Sequence, residues 1–330
     1  MKNLITGAAG CIGSELAEAL VARGQDVVGI DNLSSGKMEH LAAVLGKSNF
    51  RFVEADLEEP SAMDRVIQGV NMVWHLAANP DVKFSEGDET NKDLRQNTLC
   101  TYNVLEAMRR NGTRKLAFSS TSAVYGLSKL QPIPEEAAFP HPISLYGATK
   151  LGCEALISAF QNLFGMQCWI FRFANIVGPK VRKRGRTVIG DFILKLRQDP
   201  RKLPILGDGK QAKSYLLSEE CVEAMLFVVE HARAPVNIYN LGCDDSLEVT
   251  AIAGMVAEAM GLRGVEYEFA GGDGGWPGDV ARFCLDVSAI NRLGWKARHN
   301  SAEAVSRAIR STLAAMNEAA GAGALPACKP

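Results

Sequence analysis

The chain has 330 residues, enough for one large or two modest domains around a well-buried core. Its 47% hydrophobic and 22% charged content is ordinary for a globular protein, and a net charge of −1 supplies no field that would gather nucleic acid or an anionic membrane. The opening residues show no basic–apolar–small leader pattern and no apolar run reaches about 18 residues, so a cytoplasmic chain with no membrane partner is expected. The eight cysteines, Cys11, Cys100, Cys153, Cys168, Cys221, Cys243, Cys284 and Cys328, include no CxxC spacing. Disulfide frameworks belong to small secreted chains, so reduced, mostly buried thiols are expected. The five histidines have no metal-ligand spacing, and no metal is expected.

In chain order, the first half alternates apolar runs with helical periodicity. The runs are LITG, DVVGID, FRFVEAD, NMVWHLA, KLAFSS and CWIFRF; the first helical stretch, CIGSELAEALVARG, stops on Gly24. Continuous apolar runs separated by helices predict buried parallel strands with right-handed crossovers, a doubly wound α/β domain over residues 1–175. Residues 176–330 mix short runs (LPILGDG, KSYLL, VNIYNLG, VEYEFA) with helical stretches and predict a smaller, interleaved α/β lobe, with ligand between the lobes. The tail GAGALPACKP is expected to fray.

TGAAGCIG sets Gly7, Gly10 and Gly13 between the first strand and first helix. Gly7 suits a tight turn, Gly10 lets a pyrophosphate approach the backbone, and Gly13 lets the helix pack close to the strand. The second strand ends on Asp31, whose carboxylate suits ribose hydroxyls and repels a 2′-phosphate; this favours NAD over NADP. Lys37, six residues on, bears on the same preference. A tight turn without ligand is the alternative.

YGATK places Tyr146 and Lys150 one turn apart on one helix face. A phenol titrates near about 10, and a close ammonium or a positive nicotinamide would lower it by roughly 1–3 units per charge, making a base usable near neutral pH. The spacing alone fits equally well a half-buried aromatic beside a solvated lysine. FSSTSAVYG puts Ser119, Ser120, Thr121 and Ser122 at a strand end with no acid among them. Strand-end capping is one use for such hydroxyls.

Taken together, TGAAGCIG, DNLSSG, FSSTSAVYG and YGATK resemble the extended short-chain dehydrogenase/reductases, most closely the UDP-glucose 4-epimerase-like nucleotide-sugar epimerases. The later stretches FRFANIVGP, GDGKQAKSYL, YNLG and WPGDV extend the resemblance to about residue 315. The resemblance implies a Rossmann-like parallel sheet with a C-terminal substrate lobe, NAD as cofactor, a UDP-sugar as substrate, and catalysis by Thr121, Tyr146 and Lys150. It implies cofactor contacts from Gly7, Gly10, Cys11, Ile12, Gly13, Asp31, Asn32, Ser35, Gly36, Asp56, Leu57, Leu76, Ala77, Ala78, Asn97, Ser119, Tyr146, Lys150 and Phe173. For the substrate it implies Thr121, Ser122, Tyr146, Asn175, Lys213, Asp279, Arg282 and Phe283. It also implies a homodimer through helices 97–110 and 144–163.

Related dehydratases carry Asp-Glu just before VYG, and related decarboxylases carry Glu there; this chain has Ser122 and Ala123. Neither transfers a proton usefully, so the resemblance implies hydride and proton movement at C4′ without elimination of water. Phe283 would narrow the pocket near the sugar's 2′ substituent, favouring UDP-glucose and UDP-galactose over their N-acetylated counterparts. The chain departs from the family pattern where Trp276 replaces an arginine and where KSYLLS replaces RDYIHV. The basic run Lys180, Arg182, Lys183, Arg184, Arg186 reads as a solvated loop or as a clamp on a diphosphate or uronic acid. A UDP-glucuronate or UDP-N-acetylglucosamine 4-epimerase, and a non-catalytic dinucleotide sensor, are the alternatives.

Overall fold

The computed structural model describes residues 1–83, 87–137, 140–180, 187–272 and 274–321. The basic positions 182–186 and Cys328 lie outside the described residues, as does nearly all of the tail. β1 (Lys2–Thr6), α1 (Cys11–Ala22), β2 (Asp26–Asp31), β3 (Phe50–Glu54), α2 (Ser61–Asp64) and β4 (Met72–His75) open the chain. A π-helical turn (Leu94–Leu99) leads into α3 (Cys100–Arg110), so the helix expected over 97–110 begins with a wider turn. β5 (Lys115–Thr121), a 3₁₀ turn (Ser122–Tyr125), α4 (Leu145–Phe164) and β6 (Gln167–Phe173) follow.

The second half contains β7 (Asn175–Val177), α5 (Val188–Gln198), β8 (Lys202–Ile205), β9 (Ala212–Lys213), β10 (Tyr215–Leu217), α6 (Ser218–His231) and β11 (Val236–Leu241). It ends with β12 (Leu247–Glu248), α7 (Val249–Ala259), β13 (Glu266–Phe269), β14 (Arg282–Phe283), α8 (Ser288–Leu293) and α9 (Ser301–Gly321).

Seven parallel strands form one sheet in the order β11-β6-β5-β4-β1-β2-β3. The order reverses at β1/β4, and ligands of such sheets bind beyond the carboxyl ends of the strands at that point. VNIYNLG, grouped with the second lobe by its place in the chain, is β11 and pairs along β6 from Val236↔Cys168 to Leu241↔Phe173. The chain therefore returns to the first sheet after starting the second lobe.

Both faces of the sheet are covered. On one face α1 and α6 pack Leu16, Leu20, Met225 and Val228 against Trp74, Trp169 and Phe171. On the other, α3 and α4 pack Val104, Met108, Cys153 and Ile157 against Leu4, Phe118 and Ile170. Each fully buried side chain of this size contributes about 1.5–3 kcal/mol. A third core, with Phe192, Ile193, Leu203, Ile252, Val256, Val305 and Ile309, holds the second lobe.

Local chemistry fixes where α4 starts and stops. The Ser144 hydroxyl accepts the Gly147 N–H at 3.0 Å, capping the helix, and Gly165 ends it with φ 66° in the left-handed region. A Cβ on Gly147 would lie 2.5 Å from the Ala123 carbonyl oxygen, so glycine lets the first turn of α4 press against the 3₁₀ turn.

Candidate active site

A cleft of about 1250 Å³ runs across the carboxyl ends of β1, β2, β4 and β5 and on to the second lobe. At one end is the glycine loop. A Cβ on Gly13 would lie 2.1 Å from the Gly7 oxygen, and one on Gly7, at φ 70°, would lie 2.8 Å from the Ala77 nitrogen. Both positions therefore exclude any larger residue. α1 begins at Gly10 with no side-chain cap and no acid in its first turn. Gly10, Cys11, Ile12 and Gly13 line the cleft, so the positive dipole end of α1 suits an anion there.

Asp31, at the end of β2, accepts the Ala9 N–H at 2.9 Å and the Leu33 N–H at 2.8 Å. Burial pushes its carboxyl pKa up, and these backbone N–H groups oppose the rise. Asn32 donates to Asp56 Oδ2 at 2.9 Å, so these two residues meet at the same end of the cleft. Gly10, Cys11, Ile12, Ser35, Leu57, Leu76, Ala77, Ala78, Ser119 and Phe173 all line it. Gly36 does not; it packs on Ala9, where a Cβ would fall 2.8 Å from the carbonyl carbon.

At the centre, Thr121 from β5 meets Tyr146 and Lys150 from α4. The Thr121 side chain stands beside the Tyr146 phenol and favours its ionised form. Lys150, 1% exposed, donates from Nζ to the Ser119 carbonyl at 2.7 Å and sits 4.5 Å over the Phe118 ring. Burial pulls its pKa down to about 8, against the nearby Cys153, Glu154 and Asp93. The phenol shift is opposite to the one the YxxxK spacing suggests. Burial and the Asp93 charge push Tyr146 up, and Thr121 only partly offsets them. Burial and Asp93 thus favour the neutral phenol; the positive charge of a bound NAD would oppose them.

Asn97 does not line the cleft. From the π-helical turn it accepts the Asn79 N–H at 2.9 Å and donates to Asp93 Oδ1 at 3.2 Å and to Thr149 Oγ1 at 3.0 Å. Asp93 also takes the Asn79 amide at 2.8 Å. Asp93 was not singled out by the sequence reading, since a lone aspartate before a helix resembles any capping residue.

A family model described as the NAD dependent epimerase/dehydratase family matches residues 3–242. The chain belongs to that family. It is 30% identical over 318 residues to a UDP-glucose 4-epimerase of Mycolicibacterium smegmatis, covering 94% of this chain and 97% of that one. A solved UDP-galactose 4-epimerase is 38% identical with a TM-score of 0.84, covering 96% of this chain and all of the other. A UDP-glucuronic acid 4-epimerase variant of Bacillus cereus, solved with NAD and a fluorinated UDP-glucuronic acid, is 26% identical with a TM-score of 0.85, covering 96% and 100%. NAD is the cofactor of this epimerase/dehydratase family member, and the close glycine loop, uncapped α1 and Asp31 form a cradle that fits it.

The substrate side is only partly assembled as the resemblance implies. Ser122, Asn175, Lys213, Asp279 and Phe283 line the cleft. The Asn175 side chain stands beside the Tyr215 hydroxyl, and Phe283 forms a buried wall. Lys213 and Asp279 pair with each other at 2.5 Å, with the Lys213 ammonium 5.0 Å over the Trp276 ring. Arg282 is exposed and lies outside the cleft lining, because neighbouring residues of β14 point to opposite sides. Lys180 faces away from the sugar end, donating to Glu18 at 2.5 Å and to the His40 carbonyl at 3.1 Å. Among the described residues no helix is long and apolar enough to cross a membrane, and no cluster of His, Cys, Asp and Glu could hold a metal ion.

Proposed function

We propose that this family member is a UDP-hexose 4-epimerase acting on the UDP-glucose/UDP-galactose pair. What supports the reading is the make-up of the site centre: Thr121 stands beside the Tyr146 phenol, Lys150 follows one turn later on the same helix face and is anchored on the Ser119 carbonyl, and Ser122 and Ala123 offer no acid for eliminating water. Phe283 in the cleft wall favours a sugar without a bulky 2′ substituent.

Bound NAD supplies a hydride acceptor at its nicotinamide. Thr121 holds the sugar's 4′-oxygen, and Tyr146 takes the proton from that hydroxyl as the carbon loses its hydride. Lys150, anchored on the Ser119 carbonyl one turn along the same helix face, supplies positive charge on the side of the helix that carries Tyr146. Rotation of the 4-keto sugar would present its other face, so that the hydride held by the reduced cofactor would go back to the same carbon while Tyr146 returns the proton to the oxygen. Asn175, Lys213 and Asp279 hold the nucleotide diphosphate and ribose in this reading, Lys213 exchanging its carboxylate partner for phosphate.

The active form we infer is a cytoplasmic homodimer through α3 and α4. With the π-helical turn that leads into α3, these adjacent helices expose Leu99, Tyr102 and Leu163, at 42%, 45% and 69%. Sedimentation of the protein and of a Tyr102→Glu/Leu163→Glu variant tests this; a monomeric wild type ends it.

Incubation with UDP-glucose, UDP-N-acetylglucosamine or UDP-glucuronate, without added NAD, followed by chromatography of the sugars tests the activity. UDP-galactose from UDP-glucose is the expected result. No product even after adding NAD refutes the reading, and a product from only the acetylated or uronic substrate replaces the sugar assigned here.

A further inference from the structure

We propose that Glu154 is a positioning residue for the Tyr146–Lys150 pair and acts through Ser120. The inference rests on the reading of Tyr146 and Lys150 as the catalytic pair and adds a residue to it.

Tyr146, Lys150 and Glu154 follow each other at four-residue spacing on α4, one turn apart on one face. Each meets one of three consecutive residues at the end of β5. Tyr146 stands against the Thr121 side chain, Lys150 donates to the Ser119 carbonyl, and Glu154 Oε1 accepts the Ser120 hydroxyl. The helix is thus stitched to the strand by three rungs. Two of them carry the chemistry.

The third rung is the rigid one. Glu154 takes Arg172 of β6 bidentately, Nε at 3.0 Å and Nη2 at 2.7 Å, and both side chains are 6% exposed. Arg172 Nη1 donates to the Tyr125 hydroxyl at 3.0 Å and to the Glu135 carbonyl at 2.7 Å, with the guanidinium stacked 4.8 Å from the Tyr125 ring. The Tyr125 hydroxyl donates to Asn240 Oδ1 of β11 at 2.7 Å. The Glu154 carboxylate is thereby locked to three strands of the sheet. A buried ion pair adds little net stability over an apolar replacement, so stability alone does not account for it. A fully satisfied buried network does fix geometry. Here it fixes how far α4 stands along β5, which sets where the phenol and ammonium meet Thr121 and Ser119.

Ser120→Ala removes the rung and leaves the Glu154–Arg172 pair in place; Glu154→Asp keeps the charge for Arg172 but falls short of Ser120. With UDP-glucose, each lowers kcat by about 10- to 100-fold while KM stays within about twofold, as a small misplacement of reacting groups does. The double variant is no slower than the slower single one, since both cut the same rung. Titration of tyrosinate absorbance in the NAD-loaded protein, taken as the difference from Tyr146→Phe, reads the rung without turnover. The groups that act on this phenol are Thr121, Asp93 and Cys153. Loss of the rung loosens the Thr121 contact that favours phenolate, and Ser120→Ala raises the midpoint by about one unit. An unchanged kcat and midpoint in Ser120→Ala overturn the proposal. If that variant does not fold, Glu154→Asp carries the same test. A wild type with no turnover refutes the sugar assignment instead, and the titration still decides the role of Glu154.

Discussion

The Asp31 carboxylate accepts the backbone N–H of Ala9 at 2.9 Å, so the last side chain of β2 ties down the loop that begins at the end of β1. The same carboxylate lines the cleft where a dinucleotide's ribose would lie. NAD is therefore expected to bind at least about 10-fold more tightly than NADP, and Asp31→Asn to shrink that ratio by removing the repulsion of a 2′-phosphate. Fluorescence titration with both nucleotides measures it. Equal affinities in the wild type would show that the Asp31 charge does not discriminate, with Lys37 the first residue to examine.

Tyr146→Phe keeps the ring and removes only the hydroxyl that meets Thr121. Turnover is expected to fall by about 10³-fold or more, while NAD affinity changes by less than about threefold. Steady-state rates and a cofactor titration on one preparation check both. A variant turning over near the wild-type rate removes Tyr146 from the mechanism.

Two glycines on α4 should respond to alanine with opposite signs. Around Gly152 there is open space, so Gly152→Ala gains the ordinary helix preference, about 0.5–1 kcal/mol. At Gly147 the new methyl group would lie 2.5 Å from the Ala123 carbonyl oxygen. There the clash outweighs the same preference, and Gly147→Ala is expected to lose about 1–3 kcal/mol and to slow turnover, because the helix start moves off the Thr121 side of the site. Denaturant unfolding of both variants settles the signs.

His75 is fully buried between Thr6 Oγ1 at 2.7 Å and Thr101 Oγ1 at 3.0 Å, and burial with the Lys150 charge pulls its pKa from 6.5 to about 3. In the unfolded chain it takes up a proton as the pH falls below 6.5; in the folded chain it does not until about 3. Its contribution to stability is whole above 6.5 and is lost as pH falls, by about 2 kcal/mol between pH 7 and 5. His75→Gln should flatten the unfolding free energy over that interval by the same amount relative to the wild type. Identical slopes in the two proteins would contradict the assignment.

Much of the cofactor half was legible in short segments, because each signal there has a local cause. Gly7 and Gly13 are required by close backbone approach, Asp31 ends its strand where a ribose would lie, and Tyr146 and Lys150 share a helix face. What stayed hidden depends on pairing between distant segments. Nothing in VNIYNLG tells which sheet edge it joins. The Lys213–Asp279 and Lys180–Glu18 pairs, and the link from Glu154 to β6, bring together residues that no periodicity connects. The resemblance of GDVARF to the family implied Arg282 as a substrate contact alongside Asp279, but strand alternation turns it outward. The Tyr146 shift depends on burial and on Asp93, neither of which shows in a four-residue spacing.

The return of β11 to the edge of the first sheet bears on how the protein is made. Until residue 241 has left the ribosome, β6 is an open edge whose backbone groups would be satisfied by β11 in the finished fold. A fragment ending near residue 175 would keep every cofactor-loop glycine and the Tyr146–Lys150 pair, yet present that edge permanently to other chains. During synthesis the nascent first lobe must wait, through the making of α5 and α6, for the strand that closes it.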